Sequence, residues 1–150
     1  MSGITELATL LAAIAPELHE AEMVFCSFAT AEVKDELLLS AAGFFKEREG
    51  ITLIVARADA ERHGVSFGTV MKVITLTVHS DLEAVGLTAA VTGRLARHGI
   101  SANVVAAYYH DHVFVPVPDA ERALRVLQAL QEEALEGRCD LAGFANHVGG

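Results

Sequence analysis

The chain has 150 residues, of which 52% are apolar and 21% are charged, and its formal net charge is −9. This size and balance predict a folded protein made of one ordinary domain or two small ones. The negative charge and the absence of any cluster of basic residues argue against nucleic-acid binding, because phosphates are held mainly by lysine and arginine.

The cysteines and the N-terminus indicate the compartment. Cys26 and Cys139 lie far apart and form no CxxC motif, which favours a reducing cytoplasm. The apolar N-terminus has no basic start and carries Glu6, so it is interpreted as an amphipathic helix and not as a signal peptide. No apolar run approaches the roughly 20 residues of a membrane-spanning helix. We therefore expect a cytoplasmic protein that binds no membrane.

The first half of the chain contains short predicted elements around an extra segment at 32–50. A helix is predicted at 4–15 and strands at 23–28, 43–46 and 51–56. After the last strand comes the tetrapeptide Asp59-Ala60-Glu61-Arg62, which recurs as Asp119-Ala120-Glu121-Arg122, again directly after a strand. The shared order of strand, tetrapeptide and helix indicates an internal duplication. Residues 64–68 form the predicted linker.

The second half has a clearer pattern. Residues 71–79, MKVITLTVH, alternate as a strand with Ile74, Leu76 and Val78 on one face. A helix follows that ends at Gly99, and its apolar residues at helical spacing are Leu87, Ala90, Val91 and Leu95. Two strands at 101–108 and 113–117 come next. Asp119 then caps a last helix, whose inward residues are Ala120, Ala123, Leu124, Leu127 and Leu130.

The order β-α-β-β-α predicts an α+β fold of the ferredoxin-like type that lacks its final strand. Strand 71–79 is placed to complete the sheet of the first half as well as to open the sheet of the second. We predict two domains, 1–66 and 67–135, whose antiparallel sheets carry their helices on one face. The tail at 136–150 shows no strand pattern and is predicted to be loose.

The stretch ITLTVHSDLEAVGLTAAVTGRLARHGISANVVAAYYHDHVFVPV, residues 74–117, resembles a family of small bacterial proteins with two tandem ACT-like domains. The likeness is looser over the first half, and the tail after Glu136 has no counterpart. This resemblance implies two ACT units with the ferredoxin-like βαββαβ order. ACT domains bind amino acids or other small ligands at domain interfaces, so the resemblance also implies a small-molecule ligand.

The resemblance places the ligand site in the loop between the first strand and the first helix of the second unit. Gly86 resembles the glycine of the ACT loop, which lets backbone amides approach a ligand. The amides from Val85 to Leu87 would then take the carboxylate of an amino acid. The loop is longer than the usual ACT pattern and has two acids before Gly86.

The stretch DHVFVP also resembles the last ACT unit of the animal cytosolic arginine sensors, in which the aspartate of this stretch helps to hold the ligand. The resemblance makes Asp111 a candidate contact for an ammonium group or a cationic side chain, with Glu83 or Ser80 assisting. Asn103 is unusual within a strand, and Tyr109 has a polar tip, so both are further candidates.

Structural interpretations of the same residues stay open. Ser80 and Glu83 also form the Ser-x-x-Glu pattern of a helix capping box. Glycine costs about 1 kcal/mol within a helix, so its presence at position 86 needs a reason. Close packing of the helix on a strand is the alternative to the approach of a ligand. The side chain of Asn103 can instead form a hydrogen bond with an exposed backbone group. The ring of Tyr109 can instead cover the edge of a sheet.

The stretch YYHDHVFVP places His110 and His112 on either side of Asp111. On a strand the two histidines share a face and Asp111 points away, so the set lacks the further ligands that a metal needs. His19, His63, His98 and His147 are scattered and are interpreted as solvated. No nucleophile elbow, phosphate loop or GxGxxG motif is present. We therefore predict no metal, no cofactor and no catalytic residue.

The sequence thus predicts a non-catalytic regulatory protein that binds an amino acid, forms a homodimer and acts on a partner that the sequence does not reveal. Two alternatives stay open. The first is an assembly module that binds no ligand, since exposed sheet edges pair readily. The second is a small enzyme that uses the His/Asp hairpin.

Overall fold

The computed structural model describes residues 3–79, 81 and 85–139. Most of the predicted loose tail at 136–150 lies outside the described residues, as do Ser80 and Glu83. The helices are α1 (Gly3–Ala12), α2 (Asp35–Ser40), α3 (Arg57–Arg62), α4 (Leu87–Arg97) and α5 (Ala120–Leu135). The strands are β1 (Pro16–Leu18), β2 (Met23–Phe28), β3 (Gly43–Lys46), β4 (Ile51–Ala56), β5 (Met71–Leu76), β6 (Asn103–Ala106) and β7 (Asp111–Pro116).

The chain divides into two compact units. The smaller unit is Glu20–Lys72, and the larger unit combines Met1–His19 with Val73–Gly150. The boundary therefore falls within β5. The predicted domains 1–66 and 67–135 follow the order of the chain, whereas compactness assigns the first nineteen residues to the second half.

The smaller unit contains the antiparallel strand order β3-β4-β2. These three strands have the bounds that the sequence predicts, because each is a short apolar run beside turn residues. Met23 of β2 pairs with Met71, the first residue of β5, so β5 completes this sheet as predicted. The core lies on one face, where alternate residues of β2 and β4 pack on Leu37. Helix α2 is not predicted because only Leu37 within it is buried.

The larger unit has the strand order β5-β7-β6, and β1 pairs with β5 in antiparallel register. Pro16 lies opposite Leu76 and Leu18 lies opposite Ile74. Strand β1 thus occupies the place of the final strand that the sequence pattern lacks. The prediction grouped this segment with the first half, because sequence patterns show where a strand is but not with which strand it pairs.

Helices α1, α4 and α5 cover one face of this sheet and form its core with alternate residues of β5 and β7. The predicted inward face of α4 is confirmed, since Leu87, Ala90, Val91 and Leu95 are all buried. In α5 Val126 is buried, whereas Leu124 is only partly buried at the margin of the core. Gly99 has the left-handed conformation (φ 69°) predicted for the end of α4.

The repeated tetrapeptide forms the same contact in both halves. Asp119 precedes α5, but its carboxylate accepts from Arg122 at 3.0 Å and does not cap the helix. In the first half the carboxylate of Asp59 accepts from Arg62 at 2.5 Å. Because both pairs span one helical turn, the shared geometry supports the predicted duplication. No helix of the described residues is long and apolar enough to cross a membrane.

The contribution of α1 to the larger unit is tested by Leu11→Ala. Leu11 is 0% exposed, so the truncation leaves a cavity and should lower the free energy of unfolding by about 2–5 kcal/mol. Leu39→Ala is the control, because Leu39 is 88% exposed and its loss should cost less than about 0.5 kcal/mol. Denaturant unfolding followed by circular dichroism measures both. A small effect of Leu11→Ala would show that α1 adds little to this core.

Candidate functional site

The end of β5 lies beside the start of β7. Nδ1 of His112 is 2.9 Å from Oγ1 of Thr75, and Nδ1 of His110 is 3.5 Å from the carbonyl oxygen of Val78. The segment that leaves β5 and leads to Gly86 therefore starts next to the tip of the β6–β7 hairpin. His79, the first residue of the predicted ligand loop, therefore lies beside the predicted Asp-His hairpin, with its ring 5.2 Å from the ring of His110 between centroids.

Gly86 occupies a position that only glycine fits well. Its φ angle is 95°, which is strained for residues with a side chain. A Cβ atom at Gly86 would also lie 3.1 Å from Cδ2 of Leu7 on α1. Close packing against α1 therefore explains why position 86 has no side chain. The sequence had suggested packing of a helix on a strand instead.

Helix α4 begins at Leu87 with Gly86 in the N-cap position. The capping-box interpretation of Ser80 and Glu83 is therefore wrong for this helix, because the serine of a capping box occupies the N-cap itself. The prediction assumed that the helix starts directly after the strand. The side chains of Ser80 and Glu83 lie outside the described residues.

The first turn of α4 presents backbone amides at its open end. Val85 is exposed, whereas Leu87 is buried in the core, so Leu87 has only its backbone to offer a ligand. The N–H of Ala90 donates to the carbonyl oxygen of Gly86 at 2.9 Å. The N–H groups before Ala90 have no acceptor within the helix and form the positive end of its dipole.

The tip of the β6–β7 hairpin carries exposed aromatic rings. The N–H of Ala107 donates to the carbonyl oxygen of His110 at 3.0 Å, which leaves Tyr108 and Tyr109 as the two loop residues. Both tyrosines are exposed. The Tyr109 ring lies 5.0 Å from the Tyr108 ring and 5.7 Å from the ring of His79, measured between centroids. Tyr109 therefore belongs to an aromatic cluster at the point where β5 ends.

Asp111 begins β7 and is only 6% exposed, which is rare for a carboxylate. By strand alternation it shares a face with Val113 and Val115, which pack under the helices. Asn103 pairs with Phe114 and so lies on the opposite face of the hairpin from Asp111. The structure therefore does not bring Asn103 and Asp111 together, because the two positions differ in parity along the paired strands.

The opposite face of the sheet carries a histidine network. The hydroxyl of Thr75 lies 2.9 Å from Nδ1 of His112 and 2.8 Å from Nε2 of His19. A hydroxyl has one proton and two lone pairs, so Thr75 donates to at most one of the two rings and accepts from the N–H of a ring to which it does not donate. Burial lowers the pKa of the His112 ring, the charges of His110 and His19 lower it further, and that of Asp111 raises it.

Sequence reasoning missed the partnership of His19 and Thr75. His19 is exposed as predicted, but its ring is also hydrogen-bonded, and the two residues are separated by most of the first half of the chain. Their contact depends on the pairing of β1 with β5, since the N–H of His19 also donates to the carbonyl oxygen of Val73 at 3.0 Å. The only sign in the sequence was that Thr75 alternates with Ile74 and Leu76 and so lies on the face of β5 opposite to theirs.

A cavity of about 390 Å³ lies in the smaller unit, away from the predicted site residues. Its charged lining is Arg57 with Glu22 at 2.8 Å and Glu61 at 2.9 Å. The hydrogen bond that Arg57 donates to Glu22 raises the pKa of its guanidinium, and the hydrogen bond that it donates to Glu61 adds to the effect. Because two carboxylates already neutralise this guanidinium, the cavity offers no free positive charge to an anionic ligand. Among the described residues no group of three His, Cys, Asp or Glu side chains could hold a metal ion.

Two ACT-domain families match the sequence, one over residues 2–72 and the other over residues 70–129. A protein from Vibrio cholerae, described as a possible transport protein, is 45% identical over 87% of this chain and 99% of its own, with a TM-score of 0.76. The chain therefore belongs to the ACT-domain family and carries two ACT domains in tandem. ACT domains are typically regulatory and bind small molecules. The comparison with curated proteins gave no significant match.

More distant structures share the fold. The ligand-free regulatory subunit of aspartate kinase from Thermus thermophilus is 10% identical over 79% of this chain and 97% of its own, with a TM-score of 0.58. A protein from Agrobacterium tumefaciens is 14% identical over 77% of this chain and 87% of its own, with a TM-score of 0.63. At these identities the two likenesses show a shared fold.

The lowered pKa of His112 predicts that acid destabilises the protein through this ring. The unfolded ring, with a pKa of about 6.5, binds a proton more readily than the folded ring. The contribution to stability is therefore complete above the unfolded pKa and is lost as the pH falls from there through the lower folded pKa. His112→Asn removes the titration and should give a flatter dependence on pH. Denaturant midpoints from neutral to mildly acidic pH measure this, and equal slopes for the two proteins would contradict it.

Proposed function

We propose that this protein is a non-catalytic regulator whose larger unit binds an amino acid beside the end of β5. The observation that carries the proposal is the position of Asp111. Asp111 is buried and begins β7 between His110 and His112, whose rings contact Val78 and Thr75 at the end of β5. An amino acid carries one positive and one negative group, so it can match a carboxylate and a set of helix amides at the same time.

The carboxylate end of the ligand would lie at the first turn of α4. The positive φ of Gly86 turns the backbone into α4, with the Cβ position facing Leu7, and the amides from Val85 to Leu87 would meet the ligand from the side away from Leu7. A single carboxylate near a helix N-terminus gains about 0.3–1 kcal/mol from the dipole at an exposed site. Such a gain is too small for selective binding, so the site depends on the groups that hold the other end of the ligand.

The ammonium group or a cationic side chain would lie at Asp111. A charge-assisted hydrogen bond contributes about 1.5–3 kcal/mol, more than a neutral one. Tyr109 would cover the ligand from the hairpin tip, where its exposed ring can contact a cation. Ser80 and Glu83 keep their proposed assisting roles. Asn103 is the weakest candidate in the set because it lies on the opposite face of the hairpin.

Binding would shift the balance between two states of the protein, and a partner protein would read the change. The contact between Gly86 and Leu7 supports this route, since a ligand that orders the loop also acts on α1. Helix α1 leads through β1 to the start of the smaller unit at Glu20. Among the described residues Cys26 and Cys139 form no disulfide, which agrees with action in the cytoplasm.

The second candidate function is assembly without a ligand. It is favoured by β3, whose outer side pairs with no described strand and whose two phenylalanines are exposed. An assembly module would self-associate through such an edge and would show no response to any amino acid.

A thermal-shift screen against the twenty amino acids tests the proposal. One ligand at about 100 times its dissociation constant should add about 2.7 kcal/mol of stability and raise Tm by a few degrees. Tyr109→Ala and Asp111→Asn should reduce this shift. Phe45→Ala is the matched control, because Phe45 is as exposed as Tyr109 but belongs to the smaller unit.

Two outcomes would contradict the proposal. A flat screen at millimolar amino acid would remove amino-acid binding and leave assembly as the function. A shift that survives both Tyr109→Ala and Asp111→Asn would place the ligand at another site.

A further inference from the structure

We propose that each chain holds one amino-acid site, because the matching place in the smaller unit is closed by its own backbone and apolar side chains. This proposal rests on the proposed function and names how many copies of that site the chain contains. The two units can be compared position by position, because part of the fold is repeated within the chain.

Part of the smaller unit recurs in the larger unit at a constant spacing of 60 residues, so that β4 begins at Ile51 and β7 begins at Asp111. Strands β3 and β6 differ by the same spacing, and each pairs with the following strand in the same register. The burial of residues 51–60 recurs position by position in residues 111–120. A repeat this regular means that residues at this spacing hold equivalent places in the two units.

The carboxylate of the proposed site has an apolar counterpart. Asp111, which would hold the positive group of the ligand, corresponds to Ile51. Ile51 is buried in the core of the smaller unit and offers a cation neither charge nor a hydrogen bond. Tyr109 corresponds to Glu49, whose carboxylate already accepts from Arg48 at 3.2 Å. The smaller unit therefore lacks both the charge and the aromatic cover of the proposed site.

The hairpin turn of the smaller unit lies against the end of β2 with no side chain between them. Gly50 and His110 are matching residues, and each accepts the hydrogen bond that closes its turn, at 2.8 and 3.0 Å. A Cβ atom at Gly50 would overlap the carbonyl oxygen of Phe28, the last residue of β2. In the larger unit the imidazole of His110 extends to the carbonyl oxygen of Val78 at 3.5 Å, so a ring separates the turn from this segment. Direct contact of the two backbones therefore leaves no space for a ligand between the turn of the smaller unit and the end of β2.

The connection from strand to helix is also closed in the smaller unit. It consists of residues 29–34 between β2 and α2, whereas residues 77–86 make the same connection between β5 and α4. Val33 and Val85 hold the same place, one residue before the N-cap of the following helix. Val33 packs against the core of the smaller unit, as such residues often do, while Val85 is 63% exposed. An apolar side chain of the chain itself thus seals the smaller unit where the larger unit has an exposed loop residue.

The helix after this connection opposes the anionic end of a ligand. The first turn of α2 carries Asp35 and Glu36, whereas the first turn of α4 carries no acid. The two carboxylates already interact with the positive end of the α2 dipole and would repel the carboxylate of an amino acid. Both ends of the ligand therefore lose their partners in the smaller unit.

Calorimetric titration of the full chain counts the sites. The probe is whichever of the twenty amino acids gives the largest rise in Tm. Binding should saturate at one ligand per chain in a single phase. Asp111→Asn should weaken binding by about 10- to 150-fold, the effect of losing one charge-assisted hydrogen bond. Ile51→Val is the matched change in the smaller unit and should leave the affinity unchanged.

The outcomes separate the number of sites from the existence of a site. Saturation at two ligands per chain would overturn the proposal while leaving amino-acid binding in place, and so would a second binding phase that survives Asp111→Asn. A chain that binds none of the twenty amino acids would instead overturn the proposed function, and the single site with it.

The closure of the smaller unit is tested without any ligand, by denaturant unfolding. Val33→Ser removes an apolar contact with the core, so its unfolding midpoint should be lower than that of the wild type. Val85→Ser is the matched control and should leave the midpoint unchanged, because Val85 is largely exposed. Equal midpoints for Val33→Ser and the wild type would show that Val33 does not seal the core, and would overturn the closure.

Discussion

Pairing of β1 with β5 is the contact on which the larger unit depends. It supplies the last strand of the sheet and, through the short connection from α1, fixes where that helix lies. Leu11 and Ile14 then complete the core below α5, and Leu7 meets Gly86 at the start of α4. The bond from His19 to Thr75 adds a polar anchor at the far end of the same segment. Without α1 and β1 the unit would lose both an edge strand and the helix that covers one side of its core.

The same constraint separates the two faces of the sheet by chemistry. The helix-covered face holds the apolar core, and strand alternation puts the buried Asp111 on this face. The other face holds a chain of hydrogen bonds through Thr75, which joins His112 to His19. Alternation along β7 decides this division, because successive residues must point to opposite faces. The buried carboxylate of Asp111 and the His112 ring with its lowered pKa are therefore neighbours in sequence but point to different faces.

The two units share a fold and differ in what they expose. Both place an aspartate–arginine pair at the start of a helix after a strand, Asp59 with Arg62 and Asp119 with Arg122. The larger unit exposes the aromatic hairpin tip of Tyr108 and Tyr109, and the smaller unit exposes Phe44 and Phe45 on a strand that ends the strand order. The two copies of a duplicated fold can diverge in this way, because a function needs only one edge or one loop of the unit.

The sequence by itself determined the local structure and the family of this protein. Strands β2, β3 and β4 and the buried face of α4 follow from apolar runs and from helical spacing, which depend on neighbours in the chain. Residues 74–117 carried enough of the ACT pattern to predict a tandem ACT protein, and the family matches confirm it.

Tertiary structure decided what lies beside what. The partner of β1, the late start of α4 at Leu87 and the separation of Asn103 from Asp111 were outside the reach of sequence patterns. The physical reason is that strand partners and helix starts depend on contacts between distant segments. Those contacts, such as Leu7 against Gly86 and His19 against Thr75, exist only once the chain has folded.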